Sequence, residues 1–130
     1  MIVGYTSGVF DFFHEGHKRF LEQCMAKCDV LYIGIDCDSR VKRRKGKLRP
    51  IENQNKRLAR IIETYPKAFI KVHNSMFYIS KIRPDIIFES SEKEEPMSAL
   101  KSISRVVIPY TEGISTTQLF KKYIHMDSFQ

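Results

Sequence analysis

His14 and His17, three residues apart with Gly16 between them, are the residues whose types and spacing point first to chemistry. They follow a short β-branched run and the segment Ser7-Gly8-Val9-Phe10-Asp11, at the place where a helix begins. Imidazoles at i and i+3 share one helix face, so both can donate hydrogen bonds to a single anion. The open N–H groups of a helix start favour the same ligand. Gly16 removes a side chain where a phosphate must come close. Ser115-Thr116-Thr117 has the same logic, with hydroxyl groups at a helix N-terminus supplying capping oxygens beside N–H donors. Plain helix capping is the competing explanation of either run taken alone. The three cysteines, Cys24, Cys28 and Cys37, form no CxxC pair and show no zinc-ligand spacing. Their odd number fits unpaired thiols in a reducing, cytoplasmic setting.

The charge leads to the same ligand class. The 130 residues carry a formal net charge of +7. Residues 40–60 hold ten of the 22 Lys and Arg and a single acid, Glu52, so the rest of the chain is close to neutral. Arg40, Lys42, Arg43, Lys47 and Lys56 read as a solvated face, and no aromatic residue interleaves with the cations as a nucleic-acid stacking platform requires. Phosphates on small molecules are the expected partners.

The elements that must position these groups alternate in type. Apolar runs at Ile2–Thr6, Val30–Ile35, Phe69–Val72, Asp85–Phe88 and Val106–Ile108 predict five strands. Helical periodicity predicts helices over His14–Lys27, from Pro50 to about Glu63, over Met76–Ile82 and over Ser115–Tyr123. This alternation predicts a Rossmann-like α/β fold, a parallel five-stranded sheet with helices on both faces. With 42% hydrophobic residues and no repeat or linker, residues 1–130 read as one domain. No apolar run approaches the roughly 20 residues of a membrane span, and the N-terminus lacks a basic start and a cleavage-like site, so no signal peptide is expected. Ligands in such sheets sit at the carboxyl ends of the strands. That rule selects the segments Thr6–His17, Asp36–Pro50 and Pro109–Thr117.

These segments carry a family resemblance. SGVFDFFHEGH (7–17) resembles the GxFDxxHxGH signature of the cytidylyltransferase-like nucleotidyltransferases. VKRRKGKLRP (41–50) through Arg57 is similar to the corresponding stretch of heptose 1-phosphate adenylyltransferases, and TEGISTT (111–117) to a motif of glycerol-3-phosphate cytidylyltransferases. The resemblance implies transfer of a nucleotidyl group from a nucleoside triphosphate, accompanied by Mg²⁺, to a small phosphorylated acceptor, with release of pyrophosphate. It implies catalytic roles for His14, His17 and Lys45. Nucleotide binding falls to Ser7, Gly8, Val9, Phe10, Gly16, Arg49, Glu112, Gly113, Ile114, Ser115, Thr116 and Thr117, and acceptor binding to Asp11 and Arg57. Protein ligands of the metal are not assigned, and a homodimer is the expected assembly. The motifs divide between CTP with glycerol 3-phosphate, the leading expectation, and ATP with a heptose 1-phosphate. Tyr110 replaces the arginine expected before TEGISTT, and Glu89–Lys93 replaces a glycine-containing acidic loop. A nucleotide-binding domain with impaired turnover is the further alternative that these departures imply.

Overall fold

A computed structural model describes residues 1–90 and 103–109. Strands β1 (Val3–Gly8), β2 (Val30–Asp36), β3 (Ala68–Lys71), β4 (Ile86–Ser90) and β5 (Ser104–Ile108) form one sheet in the order β3-β2-β1-β4-β5. Every neighbouring pair is parallel. The described helices are α1 (Glu15–Met25), α2 (Asp38–Lys45), α3 (Gln54–Ile62) and α4 (Ser75–Ile82), with a short 3₁₀ turn at Asp11–Phe13. The chain moves outward from β1 to β2 and β3, then returns to the other side of β1 for β4 and β5. The reversal falls between β1 and β4, and the carboxyl ends of these two strands are the expected ligand position in such a sheet.

Both faces of the sheet are covered, as the continuous apolar runs require. Leu21 and Cys24 of α1 and Ile61 of α3 pack with Leu31, Ile33, Ile35 and Phe88 on one face. Ile79 of α4 packs with Tyr5 and Ile87 on the other. Asn53 and Asn74 start α3 and α4, their side-chain oxygens accepting from the amides of Lys56 and Phe77 at 2.9 and 3.1 Å. Among the described residues no helix is long and apolar enough to cross a membrane.

Several boundaries differ from the expectations. Ser7 and Gly8 belong to β1, paired with Gly34 and Ile35, rather than to the turn after it. Glu89 and Ser90 complete β4, because β5 runs alongside them and Arg105 Nε donates to Glu89 Oε2 at 2.6 Å. Pro50 does not open α3, since the next two amides, of Ile51 and Glu52, donate to the Asp11 carboxylate. The segment after β2 is not a loop throughout; Asp38–Lys45 is helical. Its only buried residue is Val41, but Asp38 sits in the first turn and Lys42, Arg43, Arg44 and Lys45 in the last, the charge order that the helix dipole favours. Gly46 then ends it at φ 95°, a backbone region that suits glycine. The predicted helix Ser115–Tyr123 lies outside the described residues.

Gly4 shows how closely the sheet packs. A Cβ there would lie 2.6 Å from Phe88 Cε2 and 3.0 Å from Cys28 Sγ. Gly4→Ala is therefore expected to destabilise the chain by about 1–3 kcal/mol through overpacking, read as a lower urea midpoint with an unchanged slope. An unchanged midpoint would mean that Phe88 has room to move aside.

Candidate active site

The loop after β1 is built under backbone tension. Phe10, Phe12 and Phe13 have φ of 57°, 68° and 36°, a region that non-glycine residues occupy only when their surroundings enforce it. The enforcing contacts come from the segment before α3. Asp11, fully buried, accepts from the amides of Ile51 (2.8 Å) and Glu52 (3.0 Å), and Glu52 Oε1 accepts from the amide of Phe12 at 2.8 Å. Arg49 Nε lies 3.8 Å from the Asp11 carboxylate. Each of the two segments thus lends a carboxylate to the backbone of the other.

Arg57 completes the frame. Its guanidinium is fully buried and donates to the carbonyls of Glu52 (3.0 Å), Val9 (2.9 Å) and Asp36 (2.7 Å) and to Asp38 Oδ1 (2.7 Å). Asp11 and Arg57, the residues expected at the acceptor, thus bond protein groups here and tie the exit of β1 to the segment before α3.

His14 is the N-cap of α1, its Nδ1 accepting from the amide of Gly16 at 3.1 Å. In a neutral imidazole this puts the proton on Nε2, as a donor. The rings of His14 and His17 stack with centroids 3.7 Å apart and planes 21° apart. Phe10 meets His17 edge-on at 5.3 Å, and Phe13 stacks nearly parallel to it at 6.3 Å. Burial, then the neighbouring His14, then Lys45 push the His17 pKa down to about 3. Burial also lowers that of His14. At neutral pH the pair presents uncharged N–H donors, and the positive charge comes from Lys45 at the end of α2. Surrounding protein, followed by the Arg49 and Arg44 guanidiniums, lowers the proton affinity of Lys45 as well.

The two roles of His14 are separable. His14→Asn keeps a capping oxygen for the α1 amides, whereas His14→Ala removes it, so the alanine variant is expected to be about 1 kcal/mol less stable than the asparagine variant. Both lose the Nε2 donor. Urea unfolding distinguishes them, and equal midpoints would show that the cap contributes nothing.

The structure thus brings His14, Gly16, His17 and Lys45 to one region at the end of β1, with Ser7, Gly8, Val9 and Phe10 leading into it. Glu112, Gly113, Ile114, Ser115, Thr116 and Thr117 lie outside the described residues, as does Tyr110. Sequence reasoning missed Asp36, Asp38, Glu52 and Lys71 as organisers of this end of the sheet. Asp36 and Lys71 are the last residues of β2 and β3, so the strand-end rule that selected the histidine loop points to them too. Among the described residues no three His, Cys, Asp or Glu side chains converge to hold a metal ion, and both Asp11 oxygens accept backbone amides. The described residues therefore do not build a Mg²⁺ cage.

Residues 5–122 match the family model described as cytidylyltransferase-like. The chain is 32% identical over 123 residues to the bifunctional protein HldE of Campylobacter jejuni, covering 91% of this chain and 27% of that one. It is also 32% identical over 129 residues to HldE of Hyphomonas neptunium, covering 92% and 26% respectively. The chain thus spans about a quarter of the length of the curated relatives that it matches. Among solved structures, the lipopolysaccharide core biosynthesis protein from Thermoplasma volcanium superimposes with a TM-score of 0.70 at 28% identity, covering 85% of this chain and 97% of that one. The ordered motifs, the parallel sheet and a match over most of the chain agree: the chain belongs to the cytidylyltransferase-like family.

Proposed function

We propose that the chain is a nucleotidyltransferase that transfers AMP from ATP to a sugar phosphate of the heptose 1-phosphate class, releasing pyrophosphate. The observation that carries the transfer reaction is the stacked, neutral His14–His17 pair at the N-terminus of α1 with the Lys45 cation beside it. An acceptor phosphate oxygen attacks the α-phosphorus in line while the bond to the bridging oxygen of pyrophosphate breaks. No proton need leave the nucleophile. Catalysis then rests on holding the reactants in line and on stabilising the charge that gathers on the leaving phosphates. His14 Nε2–H and the His17 imidazole supply directed hydrogen bonds, and Lys45 supplies charge. Mg²⁺ would travel with the triphosphate, bound by phosphate oxygens and water, as this ion commonly is in such sites.

The relatives favour the adenylyl, sugar-phosphate side of the divided motifs over CTP with glycerol 3-phosphate, because the similarity to HldE runs through residues 41–57 and over nine-tenths of the chain. A pyrophosphate-release assay crossing ATP and CTP with heptose 1-phosphate and glycerol 3-phosphate tests the reading. ATP with heptose 1-phosphate is expected to turn over fastest. Preference for CTP with glycerol 3-phosphate would transfer the assignment to the cytidylyl side. No turnover with any pair would remove the catalytic reading.

A further inference from the structure

Residues 40–60 hold more cations than His14, His17 and Lys45 call for, and three of them line a hollow of their own. Arg40, Arg43 and Arg44 line a cavity of about 170 Å³ on α2. Their i, i+3, i+4 spacing places them on one side of the helix. Val41 and Lys45 occupy the next side; Val41 is fully buried, and Lys45 is near enough to His17 to lower its proton affinity. α2 therefore stands between two cationic surfaces.

The arginines are anchored. Asp36, buried at the end of β2, accepts from Arg40 Nε at 3.4 Å through Oδ1 and from Arg44 Nη2 at 2.5 Å through Oδ2. Lys71 Nζ, from the register partner of Asp36 on β3, lies 3.8 Å from the same carboxylate. Arg43 Nε donates to the carbonyl of Ser39 at 3.4 Å. One carboxylate thus faces three cations, and Arg43 adds a fourth charge that Asp36 does not meet. The surplus, presented as planar guanidinium forks around a small hollow, matches the oxygens of a phosphate group.

We infer that the Arg40–Arg43–Arg44 hollow is a second anion site, lined by residues other than the histidine pair, that takes one phosphate group of a small ligand. Asp36 sets the geometry of Arg40 and Arg44. The inference does not rest on the transfer reaction, and its test needs no turnover.

Calorimetric titration of the full chain carrying His14→Asn and His17→Asn, at low ionic strength, isolates the hollow. Pyrophosphate and glucose 1-phosphate are the two probes, since the phosphate could belong to a leaving group or to a sugar acceptor. Binding of at least one is expected to survive loss of the histidines and to weaken about tenfold or more when Arg43→Ala and Arg44→Ala are added. Arg43 is exposed and its hydrogen bond to a described residue is to the Ser39 carbonyl, so Arg43→Ala alone gives a folded comparison if the double change perturbs α2. Lys81→Ala, at an exposed position of α4, is expected to change nothing. A higher affinity for pyrophosphate assigns the site to the leaving group, and the reverse order assigns it to the acceptor. Disappearance of binding with the histidines, or affinity unaltered by the arginine changes, overturns the inference. So does an arginine-dependent affinity for a 20-base-pair DNA duplex with no binding of either small anion.

Discussion

Arg57→Leu is expected to destabilise the chain by about 3–5 kcal/mol, a large part of the stability of an ordinary small domain. The guanidinium joins four places that the sequence separates: the exit from β1 through Val9, the end of β2 through Asp36, the start of α2 through Asp38, and the segment before α3 through Glu52. Leucine fills part of the volume but leaves three carbonyls without this donor, while the Asp38 carboxylate, 31% exposed, can turn to water. Arg57→Lys keeps a charge, yet one ammonium cannot reproduce the planar fork that reaches all four acceptors. Its midpoint is expected between those of the parent and the leucine variant. Urea unfolding followed by circular dichroism gives the order directly. A direct role in holding the acceptor predicts another pattern, with KM raised in Arg57→Lys and the unfolding midpoint unchanged. That outcome would return Arg57 to the substrate.

The same residue shows what was legible in the sequence and what was not. The run Val30–Ile35 and the glycine between two histidines are local signals, because a doubly buried strand and a helix start each have a pattern readable within a few residues. The parallel α/β fold followed from such patterns. α2 did not, because Val41 is its only buried residue and its support is electrostatic: Asp36 is met by Arg40 and Arg44, and the dipole by the order of its charges. Charges at helical spacing look identical whether they face water or a buried carboxylate, and Arg40, which the spacing assigns to a solvated face, is tied to Asp36. Asp11 and Glu52 were opaque for a different reason. Each carboxylate serves the backbone of a segment 40 residues away, and backbone amides carry no sequence signature. The motif identified which loop matters and left open which of its polar residues face a ligand and which hold the loop in shape.

That distinction matters most for His17, whose replacement should have the largest effect on turnover. His17→Asn is expected to lower kcat about 10²–10³-fold, the loss typical when one directed donor to a developing oxyanion is removed. The pKa of about 3 makes a second, independent forecast. Neutral imidazole is the form in the folded chain across the physiological range, so the activity of the parent should show no break near pH 6.5 attributable to this residue. Stability carries the complementary signature. In the unfolded chain His17 binds a proton near pH 6.5, whereas in the folded chain it does so only near pH 3. Between those values the unfolded state holds more protons, so stability rises with pH; the contribution is complete above about pH 6.5 and is lost progressively below it. His14, also lowered by burial, acts with the same sign. The parent's urea midpoint should therefore fall as pH drops from 6.5 to 5, and His17→Asn should flatten that fall without abolishing it. If the variant keeps the parent's full pH slope, the stacked imidazole is not held neutral. The charge that the cleft offers a triphosphate would then come from the histidines as well as from Lys45, and kcat would rise as His17 gains its proton.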